Sequence, residues 1–444
     1  MKKKFTLKSN IAKSLVLLFI ILFINSLSSS AQITIESKMP ESSHIESVTT
    51  NIGGVLILNG YFDITGGLNQ FPSFSLPQID VFQKNDYNAF NMHMRLSILR
   101  MINDFKLRNG EVITTTVEGD FNGLGSMETT TAFRMRHINV RYKGWMVGQT
   151  WSTFGDTGAF INTLDADGPS IGIGFRKPVI RYTFNRNNPL KVSLALEQAL
   201  IDYRLPEKEK GATDEKRTIK KANPYFPELV GAIDYTFGEH ASHVRLSGVF
   251  RKISYLNLDD STSHANSWGT SLSSRLNLNE AVSFIVQGNV GRGIGIYTSS
   301  FAGSGYDGFI TDSQLKTIPA FGGFAAIEIR YAKNSPFVST FAIGYSSFQI
   351  NANNNGEITK NSFYGGTYSA AVGKVYQSDY NKLDINIPYA SVNLMYKIFE
   401  NFTAGAEVNW GAKNLVTKSS NTNLSKKRDS KDALRVTFGV LYSL

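Results

Sequence analysis

From Gly53 to Leu444 apolar and polar residues alternate with a period of two, and the polar set is charged on strand after strand. In GGVLILNGYFDITG, Leu56, Leu58, Phe62 and Ile64 share one face while Asn59, Tyr61 and Asp63 share the other. In AFNMHMRLSI, Met92, Met94, Leu96 and Ile98 oppose His93, Arg95 and Ser97; in EVITTTVEGDF, Ile113, Val117 and Phe121 oppose Thr116, Glu118 and Asp120. The alternation returns around Arg181, Arg245, Arg275, Arg330 and Glu407, and the last run puts Leu434, Val436, Phe438, Val440, Tyr442 and Leu444 on one face. Successive side chains of a strand point to opposite faces. A soluble sandwich or propeller packs its apolar faces against each other and has no use for charges opposite nearly every one of them. A transmembrane barrel does, because its apolar side chains meet lipid and its charged ones meet a wet interior. The pattern predicts an all-β fold, a transmembrane antiparallel β-barrel over residues 53–444.

The connections carry a second signature. Short links at Lys143-Gly144, Asn185 to Asn188, Gly238 to Ser242, Asn277 to Glu280, Lys333 to Pro336 and Phe399 to Asn401 alternate with long polar ones. Asn103 to Gly110 reads as a slightly longer turn. The long links fall near 67–88, 123–130, 151–171, 201–226, 256–266, 293–319, 351–386 and 414–431. Tight periplasmic turns and long external loops are the asymmetry of outer-membrane barrels. The segments number about sixteen, which leaves room for an aqueous channel and puts both termini in the periplasm.

The N-terminus reads as an export signal. Lys2, Lys3, Lys4, Lys8 and Lys13 precede an apolar core from Leu15 to Ile24, and Ser29-Ser30-Ala31 supplies small residues for cleavage before Gln32. That core is too short for a confident membrane span. Residues 1–31 are therefore expected to be a signal peptide, and 32–52, polar and without pattern, a short periplasmic segment. Five of the 46 basic residues lie in the signal, leaving 41 against 36 acidic ones, or about +5. With no clustered basic patch, a nucleic-acid partner is not expected. The absence of cysteine excludes a disulfide scaffold and thiolate chemistry.

If the apolar set faces lipid, Asp63, Arg95, Glu118, Asp120, Arg181, Arg245, Arg275, Glu328, Arg330 and Glu407 face the lumen. Arg134 and Arg136 share parity with Ile138, Val140 and Tyr142, so a bulge must separate them if the arginines are to avoid lipid. Arginines faced by Glu118 and Asp120 would set up a transverse field favouring small anions. The same charges could instead pair across strands and only hold the wall. The third long loop, Trp151 to Ile171, is the constriction candidate, and its Asp156, Asp165 and Asp167 could balance wall arginines.

Other motifs carry nothing. Gly168-Pro169-Ser170-Ile171-Gly172 matches G-x-S-x-G but lacks the strand before it and the helix after it that a nucleophile elbow requires. His93 and His137 have no second histidine at ligand spacing, so neither a metal, a cofactor nor an enzyme activity is expected. A closed adhesive barrel acting through its loops, with the run EKEKGATDEKRTIKK as its feature, is the alternative.

At Glu118-Gly-Asp-Phe, Phe133-Arg-Met-Arg-His and Gly148-Gln-Thr-Trp-Ser-Thr-Phe the chain resembles the DcaP-like trimeric outer-membrane porins, most densely over 110–184. That resemblance implies a sixteen-stranded homotrimer set in outer-membrane lipid. It further implies passage of small anionic solutes such as dicarboxylates through an arginine-lined constriction, with Arg134, Arg136 and Arg181 inward. The family's N-terminal coiled coil is not matched, since residues 32–52 contain Pro40 and no heptads.

Overall fold

The computed structural model describes residues 33–66, 68, 73–81, 88–123, 132–165, 168–169, 171–204, 219–222, 224, 226–257, 260–311, 314–332, 335–351, 382–418 and 427–444. Among them, sixteen antiparallel strands close into one barrel. They are β1 (Ile45–Thr65), β2 (Ala89–His93 continued by Ile98–Leu107), β3 (Val112–Gly123), β4 (Ala132–Tyr142), β5 (Trp145–Trp151) and β6 (Arg176–Phe184). Next come β7 (Leu190–Glu197), β8 (Glu228–Phe237), β9 (Ser242–Asn257), β10 (Thr262–Asn277) and β11 (Val282–Arg292). The last are β12 (Pro319–Arg330), β13 (Phe337–Asn351), β14 (Lys382–Phe399), β15 (Phe402–Lys418) and β16 (Lys427–Ser443). Each strand pairs with the next, and β16 pairs with β1 from Ser443 opposite Val55 to Leu434 opposite Thr65. Closure leaves no open edge in the hydrocarbon, where an unpaired amide would find no water.

The outward face is the apolar set read from the sequence. Leu194, Leu246, Leu272 and Ile343 are each about half exposed or more. On a soluble surface that band would drive aggregation; against lipid it is the required face. Aromatic side chains gather near the short turns, with Trp145 4.9 Å from Tyr182 and Phe337 4.6 Å from Tyr396 between ring centroids. Such girdles sit at the membrane interface.

The strand boundaries differ from the expected ones at several places, including 351–386 and 414–431, where strands begin at Lys382, run on to Lys418 and resume at Lys427. The barrel begins at Ile45 rather than Gly53, and Ile33–Lys38 forms a strand paired with Ser47–Ile52, so described residues of 32–52 are wall rather than a patternless leader. This N-terminal strand continues the line of β16 along the same edge of β1, and the Leu444 amide donates to Gly54 O at 2.9 Å. Polar side chains hid it: Thr50 pairs with Asn103, which also meets Thr115, a cross-strand polar row with no apolar face to count. For the same reason Asn103–Leu107 is strand, and the turn is only 108–111. At 256–266 the strands run on to Asn257 and from Thr262, making a hairpin where a long loop was expected. Residues 1–32, including the expected signal, lie outside the described residues.

Two irregularities set the inner face. Between β3 and β4 the register steps from Glu118 opposite His137 to Gly119 opposite Met135, leaving Arg136 as the extra residue of a bulge. That is the expected parity switch, and it turns Arg134 and Arg136 inward while Phe133, Met135, Ile138 and Val140 stay on the lipid side. Gly119 is needed beside it, because a Cβ there would lie 2.0 Å from the Phe133 ring. The second irregularity corrects the reading of β2. The strand breaks at 94–97, parity flips, and Leu96 and Ile98 line the interior instead of joining Met92 and Met94 outside.

Replacing the outward Leu272 by Arg is expected to destabilise the folded barrel by about 2–4 kcal/mol in a bilayer. Denaturant unfolding in lipid vesicles measures this, and a neutral result would contradict the lipid-facing assignment.

Candidate functional site

The residues after β5 do not leave the barrel. They run around its inside, and the wall captures them through backbone groups. Glu197 of β7 accepts from Ser152 Oγ and the Thr153 amide, each at 2.6 Å. Arg245 donates to Thr153 O at 2.6 Å and Ser247 to Phe154 O at 2.7 Å. Arg275 reaches Gly158 O at 2.9 Å and Phe160 O at 2.6 Å, while its partner Glu328 accepts the Asn162 amide at 2.7 Å. Glu407 then takes the amides of Leu164 and Asp165 at 2.8 and 3.1 Å, and Asn59 donates to Leu164 O. A chain brought into the lumen must pair every N–H and C=O it removes from water, and charged partners make the strongest such bonds.

Two further segments fold inward with it. Leu68, Phe74, Leu76 and Ile79 pack in the core beside Tyr389 and Leu415. The connection from Gly293 to Ile318 brings Tyr297, Phe301 and Tyr306 against Phe154 and Phe348. It is tied to the wall by Arg251, which pairs with Glu228 and Asp307 at 2.9 Å each, and by Lys177, which bonds Glu228 and Tyr297. Asp202 contributes through its amide to Asp307. Burial pushes the Asp307 carboxyl up to about 6 despite Arg251 beside it. The long links at 67–88 and 293–319 are thus partly interior among the described residues, where external loops were expected.

A cavity of about 670 Å³ lies between the loop and the wall, lined chiefly from β1, β2, β4, β5 and β6 and closed by Gln287, Ser299, Ala302, Phe324 and Leu441. Arg134, Arg136, Trp151 and Arg176 line it from the wall, and Ile161, Leu164, Asp165 and Phe160, which packs on Trp151, line it from the loop. Under the arginines lie two covered carboxylates. Glu118 pairs with Arg100 at 2.6 Å and Arg136 at 2.7 Å; Asp120 pairs with Arg134 at 2.7 Å and Arg136 at 2.9 Å. Both acids are almost fully buried while Arg134 and Arg100 keep close to half of their side-chain surface. The carboxylates therefore hold the guanidiniums up toward the lumen rather than facing them across it.

Arg176 differs from its neighbours. Its guanidinium stacks over the Trp151 ring at 3.5 Å, and its Nε is shielded from water without a hydrogen-bond partner. No carboxylate pairs with it among the described residues. Trp151 is flanked edge-on by Phe160 at 5.0 Å and His137 at 6.0 Å.

The expected site residues separate accordingly. Arg134, Arg136, Trp151 and Asp165 meet at the cavity, and Glu118 and Asp120 lie directly beneath. Arg245 and Arg275 face inward but are engaged by Asp234, Glu328 and loop carbonyls, so they are anchors, not free pore lining. Arg181 is inward yet away from the cavity, its charge set among Arg141, Glu197, Asp234 and Arg245. Arg95 sits at the break in β2, and Arg330 is exposed at the end of β12 beside a short turn. Asp156 feels the charge of Arg245 but makes its hydrogen bonds elsewhere, to His243 at 2.9 Å and Ser273 at 2.6 Å, and caps the Thr157–Ala159 turn. Asp167 lies outside the described residues. Sequence reading missed Arg100, whose parity the β2 break conceals, and Arg176, which precedes the alternation centred on Arg181.

A family model described as "Porin subfamily" matches residues 58–437. Among solved structures, the outer membrane channel DcaP of Acinetobacter baumannii matches with a TM-score of 0.65 at 15% identity, covering 92% of this chain and 100% of that one. An anion-selective porin from Comamonas acidovorans matches with a TM-score of 0.53 at 11% identity, covering 89% and 100%. Both likenesses are of fold. No curated protein sequence matches the chain.

Two outcomes test the anchoring. Glu407→Gln weakens two charge-assisted bonds, each contributing about 1.5–3 kcal/mol, so open-channel current noise should rise with little change in barrel unfolding. Burial raises the Asp156 carboxyl, but His243, Ser273 and Arg245 more than offset it and hold it below the usual range. A lowered folded value contributes stability above the unfolded value that is lost as pH falls through the folded one. Noise should therefore stay flat from neutral pH to the usual aspartate range and grow below it, and Asp156→Asn should abolish that pH dependence.

Proposed function

The chain belongs to the porin subfamily, whose barrels are bacterial outer-membrane channels, and from that premise we propose that it passes small hydrophilic solutes by passive diffusion with a preference for anions. The observation carrying this reading is the charge balance at the open cavity. Arg100, Arg134, Arg136 and Arg176 stand against Glu118 and Asp120, and the two acids are covered by three of the four cations. In a narrow lumen flanked by apolar walls such fixed charges replace part of an anion's hydration and repel cations. Asp165 is the single carboxylate among the lining residues described. No catalytic step is part of this reading; the residues do nothing beyond attracting and guiding the solute.

The same reading places residues 1–31 as a signal removed on export and the mature chain as a homotrimer, on the resemblance of its 110–184 region to trimeric porins. Intact-mass measurement of the detergent-extracted protein checks both, expecting a chain beginning at Gln32 and an assembly of three. The filled half of the lumen favours one competing reading, a closed barrel acting through its loops.

Planar-bilayer recording across a salt gradient separates these readings. A reversal potential on the anion side is expected, and Arg176→Gln should reduce the anion-to-cation permeability ratio severalfold. Cation preference would overturn the anion reading, and absence of any current would favour the closed barrel.

A further inference from the structure

The cavity that carries the proposed anion preference has an apolar stretch beside its cations, and its charges are unevenly committed. Arg134 and Arg136 each hold carboxylates of β3, which leaves Arg176 as the lining guanidinium with no acid beside it among the described residues. Around it lies an aromatic slot: Trp151 beneath the guanidinium and Phe160 edge-on to Trp151. Leu96, Ile98, Ile57 and Ile161 continue the surface. The loop side of the same cavity carries Asp165, whose carboxylate also accepts the Phe74 amide at 3.2 Å.

The other lining cations, Arg134 and Arg136, are already paired with Glu118 and Asp120, so the second carboxylate of a dianion would have to compete with those acids for them. If one of its carboxylates engages Arg176, the other faces either isoleucine and leucine side chains, where desolvation is unfavourable, or the like charge of Asp165. A mono-anion with an apolar body fits the slot. Its carboxylate can take N–H groups of the guanidinium where Arg176 lines the cavity, and an aryl or branched body can lie against Trp151, Phe160 and Ile98. The stacking on Trp151 fixes the guanidinium in plane, so little rotamer entropy is lost on binding.

We infer that the cavity beside Arg176 is a subsite for amphipathic mono-anions, aryl or branched-alkyl monocarboxylates, in preference to dicarboxylates of similar size. The inference rests on the anion-channel reading but names a substrate class within it. Solute moves through as the intact anion, with no bond made or broken.

The test is block of the chloride current through the reconstituted channel by added benzoate, benzenesulfonate or succinate, with reversal potentials recorded on the same membranes. Benzenesulfonate keeps its charge throughout, so it serves as a probe that does not cross the lipid as a neutral acid. Benzoate and benzenesulfonate should half-block at about tenfold lower concentration than succinate, equivalent to roughly 1.4 kcal/mol of partial ring burial. Phe160→Ser should erase that difference, and Arg176→Gln should weaken block by every anion. Succinate blocking as well as or better than the aryl anions in an anion-selective channel would overturn this inference alone. A cation-selective reversal potential would instead overturn the reading beneath it. Phe160→Leu keeps an apolar side chain, so retained preference there and loss in Phe160→Ser would separate slot chemistry from misfolding.

Discussion

A peptide segment drawn into a barrel lumen loses water at every N–H and C=O, and the inner wall has to replace it. Here charged side chains do so. Glu197, Glu328 and Glu407 receive successive amides of the loop after β5, and Arg245 and Arg275 receive its carbonyls. Those residues are on β7, β9, β10, β12 and β15, so the loop is held along an arc of wall rather than at one point. Charges that look like a solute-selecting row are, for the most part, the solvent of a buried loop.

This consumption explains why the lumen divides. The sector from β7 to β15 is filled by the inward segments and by apolar side chains such as Phe154, Tyr297, Phe301 and Phe348, locked by the Lys177, Glu228, Arg251 and Asp307 network. On β2 and β4 Arg100 and Arg134 stay close to half exposed, because there the carboxylates come from the adjacent strand and prop the arginines upward. Arg176, stacked on Trp151, stands at the boundary. Wall strength and selectivity thus draw on the same residue types, separated only by what each one faces.

The period-two alternation made the barrel, its lipid face and its strand number legible, because lipid imposes a one-sided rule on every membrane strand. The bulge at Arg136 was legible too, since two arginines on the parity of Ile138 cannot face hydrocarbon. Polar rows hid the extension of β1 down to Ile45, where Thr50 and Asn103 pair without an apolar face. A break in one strand hid the inward turn of Leu96, Ile98 and Arg100. The loop contacts of Arg245 and Arg275 and the wall contacts of Asp156 could not be read, since those partners lie 87 to 117 residues away. Local pattern tells which way a side chain points, and only the folded loop tells what it meets.

The central claim is that solute passes between the loop at Phe160 and the arginine wall, not through the filled sector. The chain contains no cysteine, so a single introduced thiol reports its own position without background. Phe160→Cys should be modified by a small water-soluble anionic methanethiosulfonate reagent with a stepwise fall in open-channel current, whereas Phe301→Cys should leave the current unchanged. Equal block at both positions, or block at Phe301→Cys alone, would contradict the account.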